Sequence, residues 1–298
     1  MDLNTFLKLP TESIAQIVRE SGPKVCAFPV NGTRRWLMLE SDTLSDYIDG
    51  VAGPHVAVYR LLFDHGVHTV LAPVYGPDLF ERGDDYTKMT THGLAYTAQN
   101  RHFLNLYEEC NLRVGFYGDY ERYFKGTQYE YLLGLFDEVK ARTAHHNGGQ
   151  ILFGICANDP TDTIAALTID HFKAHGEAPS KNTLIERYYG MPVSPLNFYI
   201  GFDKFTFFDT PLVTTGNEDL YFTISPSLYL NSSQLRAILF DHLFTRRMEE
   251  SDYGDITAEE IEALRSFYQA HRETTFGVGV RHGRFWYPAS AAPLTDMS

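Results

Sequence analysis

The stretch AFPVNGTRRWLML (residues 27–39) can be built in two ways, and the choice decides the fold. Asn31-Gly32 between apolar runs signals a β-hairpin, because both residues tolerate the positive φ of a type I′ turn. Alternatively, KVCAFPV (24–30) is a buried strand and Asn31-Gly32-Thr33-Arg34-Arg35 is the loop at its carboxyl end. The N–H groups opening the next helix and two guanidinium forks then converge on one anion, a combination that suits a diphosphate. The following apolar run favours the loop. A hairpin would set a second strand at once beside the first, whereas the next strand-like run, VHTVLAPV (67–74), arrives only after a segment of helical period.

Working outward, LRVGFYG (112–118), QILFGIC (150–156), NFYIGF (197–202) and DLYFTI (219–224) are apolar almost throughout, as strands covered on both faces are. Helical segments separate them. Val56, Tyr59, Leu62 and Phe63 share a face before a Gly66 stop, residues 129–139 give another, Pro160 opens a third through Ile164, Leu167 and Phe172, and residues 235–244 give a fourth. A late helix over 251–272 starts at Asp255-Ile256-Thr257, followed by a short strand, FGVGV (276–280), and a tail rich in Ala and Pro. Strand and helix in alternation imply right-handed crossovers and an α/β fold with a doubly wound, mostly parallel sheet. With no linker and no repeat, one domain over residues 1–298 is expected. Ligands of open α/β sheets gather outside the carboxyl ends of the strands, which directs attention to the loops after Val30, Val74, Gly118 and Ile224.

A chain that is 44% hydrophobic can bury a large core. A net charge of −13 with 25 Lys and Arg argues against a nucleic-acid partner, which needs a basic face. A small anion would need a local arginine cluster, or a divalent cation between carboxylates. There is no basic segment leading into an apolar one at the start, and nowhere do 18 apolar residues run together. Neither a signal peptide nor a membrane span is expected, and a cytoplasmic location follows. Cys26, Cys110 and Cys156 form no CxxC pair and read as buried thiols. The aromatic content, with 19 Tyr and 21 Phe, suits a core and also a pocket for a greasy or cationic ligand.

In SDTLSDYIDG (41–50), Asp46 and Asp49 fall on one helical face near Asp42 and are candidates to share Mg²⁺, although such acids are ordinarily a solvated face. Asp84-Asp85-Tyr86 is a weaker version. RHGR (281–284) copies the core of the histidine phosphatase signature and would make His282 a phosphate-accepting nucleophile. That motif belongs to the first strand of its fold, and its position near the C-terminal end here argues against the role. His55, His65, His68, His145 and His146 show no metal spacing and read as surface or satisfied core histidines.

Taken together, FPVNGTRRW, LFERGDDY, FYGDY, YIGFDKFTFFDTPL, LYFTISPSLYL and FGVGVRHGRFW resemble the tuberculosinol and tuberculosinyl adenosine synthases of the (Z)-prenyl synthase superfamily, over nearly the whole chain. The resemblance implies a homodimer of one α/β domain with a deep hydrophobic tunnel opening near the phosphate loop of the first strand. It assigns the substrate diphosphate to Gly32, Thr33, Arg34 and Arg35, with Arg82 nearby. It makes Tyr47 and Tyr86 the tyrosines that line the reacting carbon and steer the nucleophile, and Trp36 a ring sheltering the cation. The cofactor implied is Mg²⁺. The implied substrate is an allylic bicyclic diterpenyl diphosphate of the kolavenyl type, ionised with release of pyrophosphate and captured by water as a tertiary alcohol. Transfer to a nucleoside such as adenosine is the alternative, and a non-catalytic prenyl diphosphate binder the rival from another class.

Two departures from the family pattern bear on this. The family places an aspartate at the position of Asn31, where it coordinates or positions Mg²⁺, and an amide oxygen is a poorer Mg²⁺ ligand. Either other acids, such as Asp42, Asp46 and Asp49, hold the metal, or Asn31 is a replacement at a position built for aspartate. Chain elongators hold a second diphosphate with paired arginines in an Arg-x-Ser-Gly-Glu-x-Arg type segment; YIGFDKFTFF has no such pair, so elongation is not expected.

Overall fold

The computed structural model describes residues 1–41, 47–246, 254 and 256–288. Six strands form one wholly parallel sheet in the order β3-β4-β2-β1-β5-β6. They are β1 (Val25–Ala27), β2 (Thr69–Tyr75), β3 (Leu112–Tyr117), β4 (Gly149–Ile155), β5 (Phe198–Phe202) and β6 (Asp219–Thr223), one overlapping each run read from the sequence. The Asn31-Gly32 hairpin is therefore ruled out: β1 is flanked by β2 and β5, parallel to both.

The helices are α1 (Leu3–Leu7), α2 (Thr11–Glu20), α3 (Thr33–Glu40), α4 (Tyr47–Asp64), α5 (Asp84–Gln99), α6 (Arg101–Glu109), α7 (Tyr120–Phe124), α8 (Tyr131–Thr143), α9 (Thr161–His175), α10 (Lys181–Tyr189), α11 (Ser232–Phe240) and α12 (Ala258–His271). Strand alternation divides the interior in two. Cys26, Val70, Ile151 and Phe198 face a large core shared with α2, α4, α6 and α8, while Val25, Leu71, Leu152 and Tyr199 face a smaller one closed by α9 and α10. Both faces being covered explains why the strands read as unbroken apolar runs.

The chain runs from β1 to β2 on one side, and later returns from β4 to β5 on the other side of β1. The carboxyl end of β1 is thus the point where the strand order reverses, the place where a crevice opens in such sheets. The loop 28–32 lies there.

The C-terminal region differs from expectation. In place of a strand over 276–280, Gly279–His282 (β7) and Phe285–Pro288 (β8) form a separate antiparallel hairpin turning at Gly283-Arg284. His282 pairs with Phe285 in that hairpin, which removes the parallel-strand setting a phosphate-accepting histidine of the RHGR type would require. The late helix starts at Ala258, capped by Thr257, whose hydroxyl accepts from Glu260 N–H while Glu260 reaches back to Thr257 N–H.

Candidate functional site

After β1 the chain is pinned before it turns. Phe28 N–H donates to Leu71 O (2.8 Å), Asn31 N–H donates to Ser227 Oγ (3.1 Å), and Asn31 O accepts from Ser227 N–H (3.1 Å). Gly32 then takes φ +76°, and a Cβ there would lie 2.6 Å from a ring carbon of Phe202, so the turn requires glycine. Helix α3 follows with no side-chain cap. Its first helical bond runs from Trp36 N–H to Gly32 O (2.9 Å), leaving the N–H groups of Thr33, Arg34 and Arg35 without helical partners at the positive end of the helix dipole.

Three arginines gather round those amides. Arg34 and Arg82 both lie over the Tyr86 ring, at 5.2 and 5.3 Å from its centroid, which ties the loop after β1 to the segment after β2. Arg34 has no ion-pair partner among the described residues. Arg82 is engaged by Asp78 (2.8 Å) one helical turn back. Arg35 is clamped: its Nη2 donates to Asp203 (2.9 Å), and its guanidinium sits 4.8 Å from the Phe202 ring and 5.7 Å from Phe285 of the C-terminal hairpin. Two guanidinium groups drawn to one ring repel each other, and an anion between them relieves that repulsion.

Beside this cluster an apolar cavity of roughly 750 Å³, open mouth included, runs between α4, α5 and the sheet. Val51, Ala52, Leu94, Phe103 and Phe153 supply much of its wall. Thr33 and Tyr47 belong to it as well, and their hydroxyls hydrogen-bond to each other, so the cavity meets the anion loop at this pair. Burial raises the Tyr47 pKa, partly offset by the Thr33 bond, and the influences of Tyr86 and Arg34 on it place both nearby.

Tyr47, Thr33 and the arginines therefore come together, with Tyr86 outside the cavity wall as the ring under Arg34 and Arg82. Trp36 is placed elsewhere: it packs at 6.3 Å from the Tyr229 ring and is not among the residues lining the cavity. Asp84 and Asp85 occupy the first turn of α5, where acids offset the helix dipole.

The carboxylates expected to hold Mg²⁺ do not assemble. Asp42 and Asp46 lie outside the described residues, and Asp49, exposed on α4, accepts the Tyr96 hydroxyl. Among the described residues no three His, Cys, Asp or Glu side chains gather as a metal cage. Asp78 and Asp203, the acids at the cluster, are each taken by an arginine. The described residues do not by themselves make a Mg²⁺ site; the positive groups they bring together here are arginines and helix-start amides.

Sequence reasoning missed Asp203, Phe202 and Ser227. The signal for the first two was present, since FDK follows an apolar run at the same rim. It also missed His55, which lines the cavity. His55 Nδ1 lies 2.9 Å from Val51 O, and burial lowers its pKa to about 4.

Two measurements check this geometry. Arg34→Ala should weaken binding of inorganic pyrophosphate, read by calorimetry, by roughly tenfold or more, the loss of one charge-assisted contact. Stability should change by less than about 0.5 kcal/mol, as for an exposed residue with no ion pair among the described residues. Unchanged binding would remove Arg34 from the site. For His55, the unfolded chain regains a pKa of about 6.5, so between there and about 4 it binds a proton that the folded chain does not, and stability falls as pH is lowered through that window. His55→Gln should lose that part of the fall in urea titrations; an identical pH slope would contradict a half-buried imidazole held neutral.

No protein-family model matches the chain. It is 37% identical over 285 residues to tuberculosinyl adenosine transferase of Mycobacterium tuberculosis, covering 95% of this chain and 96% of that one. It is 25% identical over 304 residues to (+)-kolavelool synthase of Herpetosiphon aurantiacus, covering 99% and 98%. Among solved structures, lavandulyl diphosphate synthase from Lavandula x intermedia, in complex with dimethylallyl diphosphate, matches with a TM-score of 0.62 at 13% identity, over 78% of this chain and 98% of that one. A probable undecaprenyl diphosphate synthase from Campylobacter jejuni matches at 0.55 and 13%, over 76% and 97%. At such identity over nearly its full length the chain belongs to the tuberculosinyl adenosine transferase-like family, and its fold is shared with these diphosphate synthases.

Proposed function

We propose that this protein is an enzyme that ionises an allylic diterpenyl diphosphate and passes the diterpenyl cation to a nucleophile. The observation that carries the reading is the junction at Thr33 and Tyr47, where an apolar cavity meets the uncapped start of α3 and its arginines. The diphosphate lies on the N–H groups of residues 33–35 with Arg34 and Arg82, and the hydrocarbon occupies the cavity. When the C–O bond breaks, its electron pair leaves on pyrophosphate, and preorganised donors stabilise that charge without reorganising. The cavity keeps bulk water from the allylic cation.

The nucleophile decides the product. A nucleoside nitrogen adds its lone pair to give a new C–N bond; water adds to give an alcohol and releases a proton, for which the departing pyrophosphate is the adjacent base. The 37% identity to a tuberculosinyl adenosine transferase favours transfer to adenosine, and the 25% identity to (+)-kolavelool synthase supports water. Tyr47, on the wall beside the loop, orients whichever enters.

A homodimer accompanies this reading. Helix α12 has no buried residue, and Ile261, Leu264 and Tyr268 form one exposed face, which a second copy would cover.

Incubating the purified protein with tuberculosinyl or kolavenyl diphosphate, with and without adenosine, tests the acceptor by mass spectrometry. A diterpenyl adenosine formed in preference to alcohol supports transfer; alcohol alone makes water the acceptor; consumption of neither diphosphate contradicts ionisation. With labelled isopentenyl diphosphate added, no longer chain should form, because the β5-end segment YIGFDKFTFF carries no arginine pair to hold a second diphosphate. Light scattering should give twice the monomer mass, and a monomer at micromolar concentration would contradict the dimer.

A further inference from the structure

Strand β2 changes face just before it ends. Val70, Ala72 and Val74 belong to the large core and Leu71 to the small one, so regular alternation would send Tyr75 to the small core with Leu71. The pairing with β4 slips between Pro73, level with Gly154, and Tyr75, level with Ile155, so that two steps of β2 are set against one of β4. Tyr75 is thereby turned to the large-core side, where it lines the cavity. Such bulges are rare in parallel pairs, and beside a site they re-aim a side chain. Strand register puts this end of β2 at the anion loop. Ala27 of β1 is level with Leu71 of β2, and three residues further on Val30 and Val74 both line the cavity, with Tyr75 next in line at the mouth.

The Tyr75 ring is held edge to face by Phe80 at 5.3 Å and Phe124 at 6.5 Å. Its hydroxyl lies 3.5 Å from the hydroxyl of Thr90, which lines the cavity as well, and has no closer partner among the described residues. Thr90 donates its own proton to Tyr86 O at 2.9 Å, so its oxygen is left to accept. At 3.5 Å the two hydroxyls stand beyond the roughly 2.5–3.0 Å of a good O–H···O bond. Burial pushes the Tyr75 pKa up to about 12, so the phenol keeps its proton at neutral pH. One donor and one acceptor therefore stand side by side on the wall, each weakly used by the other. Tyr86 contributes here through its carbonyl, its ring lying under Arg34 and Arg82.

We propose that Tyr75 and Thr90 hold the water that captures the diterpenyl cation, the water accepting from Tyr75 Oη–H and donating to Thr90 Oγ1. The inference rests on the ionisation reading above and selects water among its acceptors. Once the bond to the diphosphate has broken, with its electron pair on pyrophosphate, the second lone pair of the water forms the new C–O bond. The proton that the product oxygen then sheds goes to pyrophosphate. A nucleoside ring nitrogen has one lone pair and cannot both accept from Tyr75 and bond the carbon, whereas water has two.

The test incubates wild type, Tyr75→Phe and Thr90→Val with tuberculosinyl or kolavenyl diphosphate in oxygen-labelled water, without adenosine, and reads alcohol and olefin by mass spectrometry. Wild type should make mostly alcohol that carries the label. Each variant should lower the alcohol-to-olefin ratio by roughly fivefold or more, the worth of one hydrogen bond, because pyrophosphate then takes a proton from the uncaptured cation. Calorimetric binding of inorganic pyrophosphate should match wild type in both, which a general collapse of the mouth would not permit. An unchanged ratio in both variants overturns the water site, and so does a ratio that falls only together with pyrophosphate binding. Wild type that consumes a diphosphate and yields olefin without alcohol also overturns it, and leaves ionisation standing. Consumption of neither diphosphate contradicts the ionisation reading itself, and the inference with it.

Discussion

The turn at Gly32 governs the rest of the site. A strand buried on both faces must leave the sheet and begin a helix within a few residues, at the point where neighbouring strands diverge in connection. The left-handed φ of Gly32 makes that turn, and Phe202 fills the space a side chain would have used. Helix α3 consequently starts without a cap, and three amides face outward with no helical acceptor. The surrounding arginines intensify a deficit of negative charge that only a bound anion meets fully.

Each arginine is held differently, and the difference has chemical content. Arg35 is fixed by Asp203, whose side chain is only 11% exposed, and by the Phe202 ring, so its position is set before any ligand arrives. Arg34 lies over the Tyr86 ring and has no ion-pair partner among the described residues. Arg82 reaches the same ring from the segment after β2. Two cations held by carboxylates, and Arg34 with no such partner among the described residues, around a row of amides suit a diphosphate, which spreads its charge over several oxygens. In the proposed reading the hydrocarbon lies between α4 and α5, and Thr33 and Tyr47 join that cavity to the anion loop.

Much of this was legible in the sequence because burial on both faces leaves strands nearly free of polar residues, so all six stood out. The loop at Asn31-Gly32 could be separated from a hairpin by the late arrival of the next strand. Side-chain placement was less legible. Trp36 follows the arginines directly, but on a helix its position sends it toward Tyr229 and away from the cavity. Asp49 looked like a metal ligand from its spacing to Asp46, yet it faces Tyr96 of α5, a partner 47 residues away that periodicity cannot reveal. The clamp of Asp203 on Arg35 spans 168 residues and depends on β5 lying beside β1, a consequence of strand order and not of any local pattern. His55 and Tyr59 read as core residues because a helix face toward a cavity and one toward a core carry the same apolar spacing.

The most direct test of the central claim is a crystal structure with a non-ionisable thiolo analogue of a diterpenyl diphosphate. The account predicts the phosphates on the amides of residues 33–35, with Arg34 and Arg82 closing on them, and the hydrocarbon between α4 and α5 past Tyr47. Phosphates bound instead in the cleft lined by Arg113, Lys140 and Arg187, or hydrocarbon lying outside the cavity, would contradict it.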